Sequence, residues 1–398
     1  MVCAFALALG AVLSLITRSA VTKGSDFFYY FCVSRLVALG HGAHVYDPRM
    51  LGTLERQLAY PVRVPGGLIP NVYPPFFAVA VAPLADLPYS LAYLAWLLLN
   101  CLLLGVSVFY LERYAHFGRT GTIVFRIAAF VSLPVIVALL LGQVSFLLLA
   151  LLCLTLHAAR SGMDRTAGVA LGLTLIKPQY ALPFLLVLVL QGRRRSFVAF
   201  VATACVVFLA PIAVLGWPTD VSYIQTLMHA VRWGNSVGGF SPGVNRSFGG
   251  FTQLLFPPSV ATAVSIALDL IALGAVVVAA RKSRTIDAPF GLALVVALLA
   301  SQHVLIHDLT LLLIPAAIVW RYRSIAPRGA LLLGALVYLS LYAGFNISLT
   351  RHVQIPTIAM TALAVWLFII VVRASRMGAR FPSSHSSAAG AQLPAAPH

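Results

Sequence analysis

The chain has 398 residues, of which 61% are hydrophobic and 9% charged, against a roughly half-apolar, quarter-charged usage in soluble domains. It reads as an all-α, polytopic integral membrane protein. The formal net charge of +17 does not point to nucleic acid, because the cations sit in short clusters between apolar runs rather than in a stripe interleaved with aromatics.

A helix that crosses a bilayer needs about 20 apolar residues, and lipid-exposed chain must be helical because its backbone has no water to bond. In chain order the predicted spans are 2–20, 89–111, 123–141, 143–159, 196–215, 258–280, 287–301, 304–320, 329–346 and 355–373. Residues 166–191 are too long for one ordinary span and are interrupted by Lys177-Pro178-Gln179, so two short helices meeting at that break are expected. The five cysteines, Cys3, Cys32, Cys101, Cys153 and Cys205, show no C-x-x-C and no disulfide frame, and read as inert packing residues.

Cations gather at Arg113/Arg119/Arg126, Arg160/Arg165, Arg193/Arg194/Arg195, Arg281/Lys282/Arg284, Arg321/Arg323/Arg328 and Arg373/Arg376/Arg380. The positive-inside rule assigns all of these to the cytoplasm. That works if 166–191 crosses twice with Lys177 at its outer turn and the Pro-broken stretch 74–88 does not cross, giving about twelve transmembrane helices with both termini inside. Arg18 and Lys23 stand against this pattern. A start site set too far downstream accounts for them better than a cleaved signal peptide, whose basic n-region is missing.

The organisation expected is one membrane domain, 1–376, and a Ser-, Ala- and Pro-rich tail, 377–398, of disordered cytoplasmic chain. Two long loops, 21–88 and 216–257, fall on the outer face, and loops of that length are usually functional or disordered. The first is too aromatic for disorder. The chemistry is therefore expected on the extracytoplasmic side of the inner (plasma) membrane.

Asp26 stands in Gly24-Ser25-Asp26-Phe27-Phe28-Tyr29-Tyr30. A carboxylate at an apolar boundary has its pKa pushed toward the range of a general base; the same pattern also suits a helix N-cap. Lys177, at the break between two short helices, suits the phosphate of a lipid headgroup or lipid-linked substrate, or equally plain snorkelling. Gly142-Gln143 reads as a helix–helix turn. His303 and His307 are four apart and would share a helix face beside Asp308, as a polar cluster more than as zinc ligands, since no third ligand is suggested nearby. Asp269, inside an apolar run, stays unassigned. No Walker A loop, GxGxxG, H-E-x-x-H or D-x-D pair is present, so the sequence supports neither a nucleotide-dependent nor a metal-dependent mechanism.

The ordered set Asp26-Phe27 with Tyr29, Gly40, Val45-Tyr46-Asp47-Pro48, Val72-Tyr73-Pro74-Pro75-Phe76, Ala82-Pro83-Leu84, Gly142-Gln143, Ile176-Lys177-Pro178-Gln179 and the segment Ser301 to Asp308 resembles glycosyltransferase family 87. This is the polyprenyl-phosphate-mannose-dependent group of the GT-C membrane superfamily, also catalogued as a domain of unknown function. The likeness runs over about residues 24–320. It implies a GT-C fold with a catalytic Asp in the first extracytoplasmic loop, here Asp26, juxtamembrane helices on that side, matching 74–88, and a cation near the donor phosphate, matching Lys177. His307 and Asp308 fall where members carry His, Tyr or Asp. The sequence departs from the pattern at Gln302 and at Asn245-Arg246-Ser247, which bears on the acceptor.

The function implied is an inverting hexosyltransferase, mannose first, acting from a polyprenyl-phosphate donor onto a lipid or glycan hydroxyl. Asp26 is the expected base; Lys177, His307, Asp308, His303, Tyr73, Gln143, Asn245 and Arg246 are the expected donor-phosphate and substrate residues. No cofactor and no metal are expected. The partners are the lipid bilayer, the lipid-linked donor and the acceptor, with no nucleic acid. The rival readings are a secondary transporter, which would show paired broken helices in both halves, and an assembly protein without activity.

Overall fold

The computed structural model describes residues 25–60, 70–230, 241–324, 327–351 and 353–376. The predicted span 2–20, Arg18, Lys23 and the tail 377–398 lie outside them. Among the described residues every regular element is helical.

The first loop is a small layer of short helices. α1 (Asp26–Ala38) buries Phe27 through Ser34 on all sides, as a helix apolar all round must. α2 (Pro48–Ala59) starts where Asp47 accepts from the Arg49 and Met50 N–H groups at 2.8 and 3.5 Å, with Pro48 in its first turn at the position where a missing N–H costs nothing. α3 (Pro75–Val81) runs into a 3₁₀ turn, Ala82–Asp86. At about 1.5 Å per residue this stretch is far short of the ~30 Å hydrocarbon layer, in keeping with its predicted failure to cross. α4 (Tyr89–Ala115) then spans in full, and α5 (Arg119–Val131) and α6 (Leu133–Leu141) form one apolar run bent by 46°. The bend sits at Ser132, extended ahead of Leu133-Pro134, where proline removes a helical N–H.

α7 (Ser145–Arg160), α8 (Asp164–Leu173), α9 (Pro178–Leu190) and α10 (Arg194–Leu209) follow. The break predicted within 166–191 is present: a 3₁₀ turn, Thr174–Ile176, leads to Lys177 at φ −131° and ψ 85°, and α9 begins at Pro178. A single turn, α11 (Ile212–Leu215), extends the run of α10, and the described part of the second long loop is largely helical, with α12 (Trp217–Ala230) and α13 (Phe248–Leu255). The bundle closes with α14 (Pro258–Lys282), α15 (Asp287–Leu299), a 3₁₀ helix Ile306–Leu312 leading into α16 (Leu313–Arg321), α17 (Pro327–Arg351) and α18 (Ile355–Arg376).

Four described helical stretches are long and apolar enough to cross a membrane, Tyr89–Ala115, Arg194–Leu215, Pro258–Lys282 and Ile355–Ser375, and the bent pair makes a fifth. The predicted count of about twelve is not matched by length. Among the described residues, part of the difference lies in the interior, where α9 and α15 have 13 residues each, roughly 20 Å of helix. All 13 residues of α15 are buried, so neighbouring helices rather than lipid surround it, and the 20-residue rule for lipid-facing helices does not bind it. α10 and α14, by contrast, turn Val198, Val206, Leu270 and Ile271 outward.

Two features fix the polarity of the bundle. Arg160 at the end of α7 and Arg321 at the end of α16 both meet Asp287 at the start of α15, at 3.0 and 3.7 Å. The opposite ends of the same helices adjoin Gln143, the segment 301–305 and Asp308. A separate apolar cluster joins Phe28, Cys32, Val45, Tyr46 and Leu51 to Leu215 and Tyr223, so the two long loops pack together in one layer.

Candidate active site

The site grows from the turn between α6 and α7. Gly142 adopts φ 66°, and a Cβ there would lie 2.7 Å from Phe27 Cβ, so glycine alone lets the turn press against the residue after Asp26. The Trp96 indole N–H donates to the Gly142 carbonyl at 2.6 Å. What reads as a plain turn thus delivers Gln143, itself buried, to Asp26.

Asp26 is the first residue of α1, and the N-cap position belongs to Ser25. Its carboxylate accepts from the Gln143 amide, and Lys177 and Asp308 are close enough to act on it electrostatically. Burial pushes its pKa up to about 6, against the lowering pull of Gln143 and Lys177. On the far side of the amide, the Tyr30 and Tyr73 hydroxyls share a hydrogen bond of 2.7 Å, and both lie 3.4 Å from Gln143 Oε1, which accepts from whichever of them does not donate to the other. With its oxygen so engaged, the amide turns its N–H₂ toward the acid.

Lys177 Nζ donates to Asp308 Oδ1 at 2.6 Å, both side chains being largely buried. Asp308 Oδ2 accepts from the Leu305 N–H at 3.0 Å and lies 3.6 Å from His307 Nε2. The ring of Tyr180 has its centroid 6.0 Å from Nζ. The lysine is therefore inside the protein beside Asp26, held by an acid 131 residues further on, instead of standing free at a surface turn. The extended backbone at Lys177, followed by Pro178, turns the side chain inward across the break.

His303 and His307 do not share a helix face. His303 sits in the non-helical segment 301–305, ahead of the 3₁₀ helix that carries His307 and Asp308. The cause is Asn245. Its amide donates to the Gln302 carbonyl at 2.7 Å and accepts from the Val304 N–H at 3.0 Å, while the Arg246 N–H donates to the Val304 carbonyl at 2.8 Å. These bonds hold the segment extended, although His303 remains within electrostatic reach of Asp308 and Lys177. Asn245 and Arg246 thus act on the site through backbone. Arg246 is almost fully buried, donating to the Gly243 carbonyl at 3.0 Å, and its own carbonyl accepts from Thr357 at 3.0 Å.

Of the other acids in the first loop, Asp47 caps α2, and Glu55 is buried with its pKa pushed up to about 8. Asp269 lies part-buried on α14. Among the described residues no three His, Cys, Asp or Glu side chains form a group that could hold a metal ion. Tyr30 is the site residue that motif reading passed over. Its signal is its place four residues after Asp26, on the same face of α1.

A part-buried carboxylate with a raised pKa thus lies beside a buried lysine–aspartate pair at one end of a multi-pass helical membrane protein. The chain matches glycosyltransferase family 87 over residues 71–307 and belongs to that family. It is a membrane glycosyltransferase, which sets the transporter reading aside. The matched span takes in Tyr73, Gln143, Lys177, Asn245, Arg246, His303 and His307; Asp26 lies ahead of it and Asp308 one residue beyond. No curated protein and no solved structure matches the chain.

Proposed function

We propose that the protein transfers a hexose, mannose first, from a polyprenyl-phosphate donor to a hydroxyl of a lipid or glycan acceptor on the extracytoplasmic side, with inversion. The acceptor oxygen attacks the anomeric carbon, and the carbon–oxygen bond to phosphate breaks with its electron pair leaving on the polyprenyl phosphate. The hydroxyl proton passes to Asp26 as the new bond forms. A base with a pKa near 6 is ionised at neutral pH and still takes a proton readily.

Lys177 has three N–H donors, of which Asp308 engages one, so its charge and remaining donors are available to the leaving phosphate. Asp308 fixes the lysine, His307 stands against Asp308, and Asn245 with Arg246 holds the 301–305 segment that carries His303. Tyr73 and Tyr30 orient Gln143, and Gln143 orients Asp26. The observation that carries the reading is the convergence on Asp26 of Gln143 and Lys177, from turns 117 and 151 positions further along the chain.

The outward orientation is supported by the basic clusters, since Arg160 and Arg321 meet at the end of the bundle opposite Asp26. The test is transfer by purified protein from a synthetic polyprenyl phosphomannose, with chelator present, scored by mass spectrometry. Product formation is expected. Transfer from a nucleotide sugar alone, or strict dependence on a divalent cation, would overturn the mechanism.

A further inference from the structure

α8 and α10 cross at close range. A Cβ on Gly168 would lie 2.2 Å from the Ser196 carbonyl oxygen, and one on Gly172 would lie 2.6 Å from Thr203 Cβ. Residue numbers rise together along this contact, so the helices run parallel and their N-termini share one end of the bundle. That end is the one reached by Arg160, four residues before α8 begins, and it is remote from Asp26.

Beside the crossing opens a groove of about 670 Å³. Its walls include Val169 and Leu173 of α8 and Val198 and Val206 of α10, all turned outward. The Thr203 hydroxyl on its floor already donates to the Ala199 carbonyl at 2.9 Å, so the groove presents no unmet polar demand. At its mouth stand Arg165, Arg194 and Arg195. Asp164, the acid at this end, is paired with Arg193 at 2.7 Å, and the three mouth arginines have no acidic partner among the described residues.

We propose that this groove is a binding site for one anionic phospholipid, its phosphate held by Arg165, Arg194 and Arg195 and an acyl chain laid along the valines and Leu173. Charge complementarity selects this occupant. Three cations beside two helix N-termini concentrate positive potential at the depth of a headgroup, and α10 from Arg194 to Val207 offers roughly 20 Å of apolar wall, more than one leaflet of a ~30 Å hydrocarbon layer. A second copy of this chain, carrying the same cations and the same net charge of +17, would bring like charges together.

The experiment is native mass spectrometry of the whole protein released from nanodiscs of equal phosphatidylglycerol and phosphatidylcholine. One phosphatidylglycerol should be retained per chain with a preference of about tenfold. The preference should collapse toward unity in the triple variant Arg165→Gln, Arg194→Gln, Arg195→Gln, and retention of either lipid should fall in Ala202→Phe, which fills the groove without touching the arginines. The basic control Arg281→Gln, Lys282→Gln should retain lipid as the parent does. Equal retention of the two lipids, an unchanged preference in the triple variant, or cross-linking of the α8–α10 face between two copies would each overturn the assignment.

Discussion

Each end of the bundle buries an aspartate with cations, and the two are built differently. At one end Asp287 sits between Arg160 and Arg321, at 3.0 and 3.7 Å, and accepts from the Tyr322 hydroxyl at 3.1 Å. Both guanidinium groups lie over the ring of Tyr114, and Arg321 also donates to that residue's carbonyl. At the other end two acids, Asp26 and Asp308, share the influence of a single lysine, and that lysine bonds to Asp308. Asp26 is left with an amide. The first arrangement sets two guanidinium groups against one acid and fastens α4, α7, α15 and α16 together; the second leaves Asp26 without a cation of its own, so burial raises its pKa as a base requires.

The same substitution at both ends should separate the two roles. Asp26→Asn keeps shape and hydrogen bonding but removes the proton acceptor, so turnover should fall by about 10²- to 10⁴-fold. Its folded state should be no less stable than the parent at pH 8. Because Asp26 has a raised folded pKa, its contribution to stability is present below the unfolded value and lost as pH rises through about 6, and the neutral amide escapes that loss. Thermal unfolding followed beside activity checks both parts.

Asp287→Asn should do the reverse. It leaves two part-buried arginines without their acid, a loss on the order of 3 kcal/mol, visible as a lowered unfolding midpoint, while turnover per folded molecule stays near that of the parent. Lys177→Ala should raise the KM for the lipid-linked donor by roughly ten- to a hundredfold, the scale of one charged hydrogen bond, while some turnover remains. Tyr30→Phe is the mildest. It removes one of two hydroxyls that orient Gln143, and kcat should drop by about two- to tenfold with donor KM unchanged; an unaffected kcat would separate the tyrosine from the site.

The sequence disclosed the parts of this comparison that depend on local pattern. Proline and lysine at 177–178 announced the broken helix, and the acid ahead of an aromatic run marked Asp26. The cation clusters announced which helix ends belong together, and Arg160 and Arg321 do meet. What stayed hidden depends on pairing across the fold. Nothing local ties Lys177 to Asp308, or Gln143 to Asp26, because each pair joins separate turns. His303 reads as helical by spacing and is not, since Asn245, 58 positions earlier, bonds the backbone on either side of it. Hydropathy likewise overstates the full-length spans, because it cannot distinguish a helix wrapped by protein, such as α15, from one wrapped by lipid.

The central claim is that Asp26 is a base whose pKa burial raises against the lowering pull of Gln143 and a shared Lys177. The most direct test is the pH dependence of kcat/KM for the parent enzyme with a lipid-linked donor, measured between about pH 5 and pH 8. A base must be deprotonated to act, so log kcat/KM should climb with unit slope to a bend near 6, where burial sets the Asp26 pKa, and stay level above it. The residual activity of Asp26→Asn should show no such bend. A flat profile in the parent, or the same bend surviving in Asp26→Asn, would contradict the account.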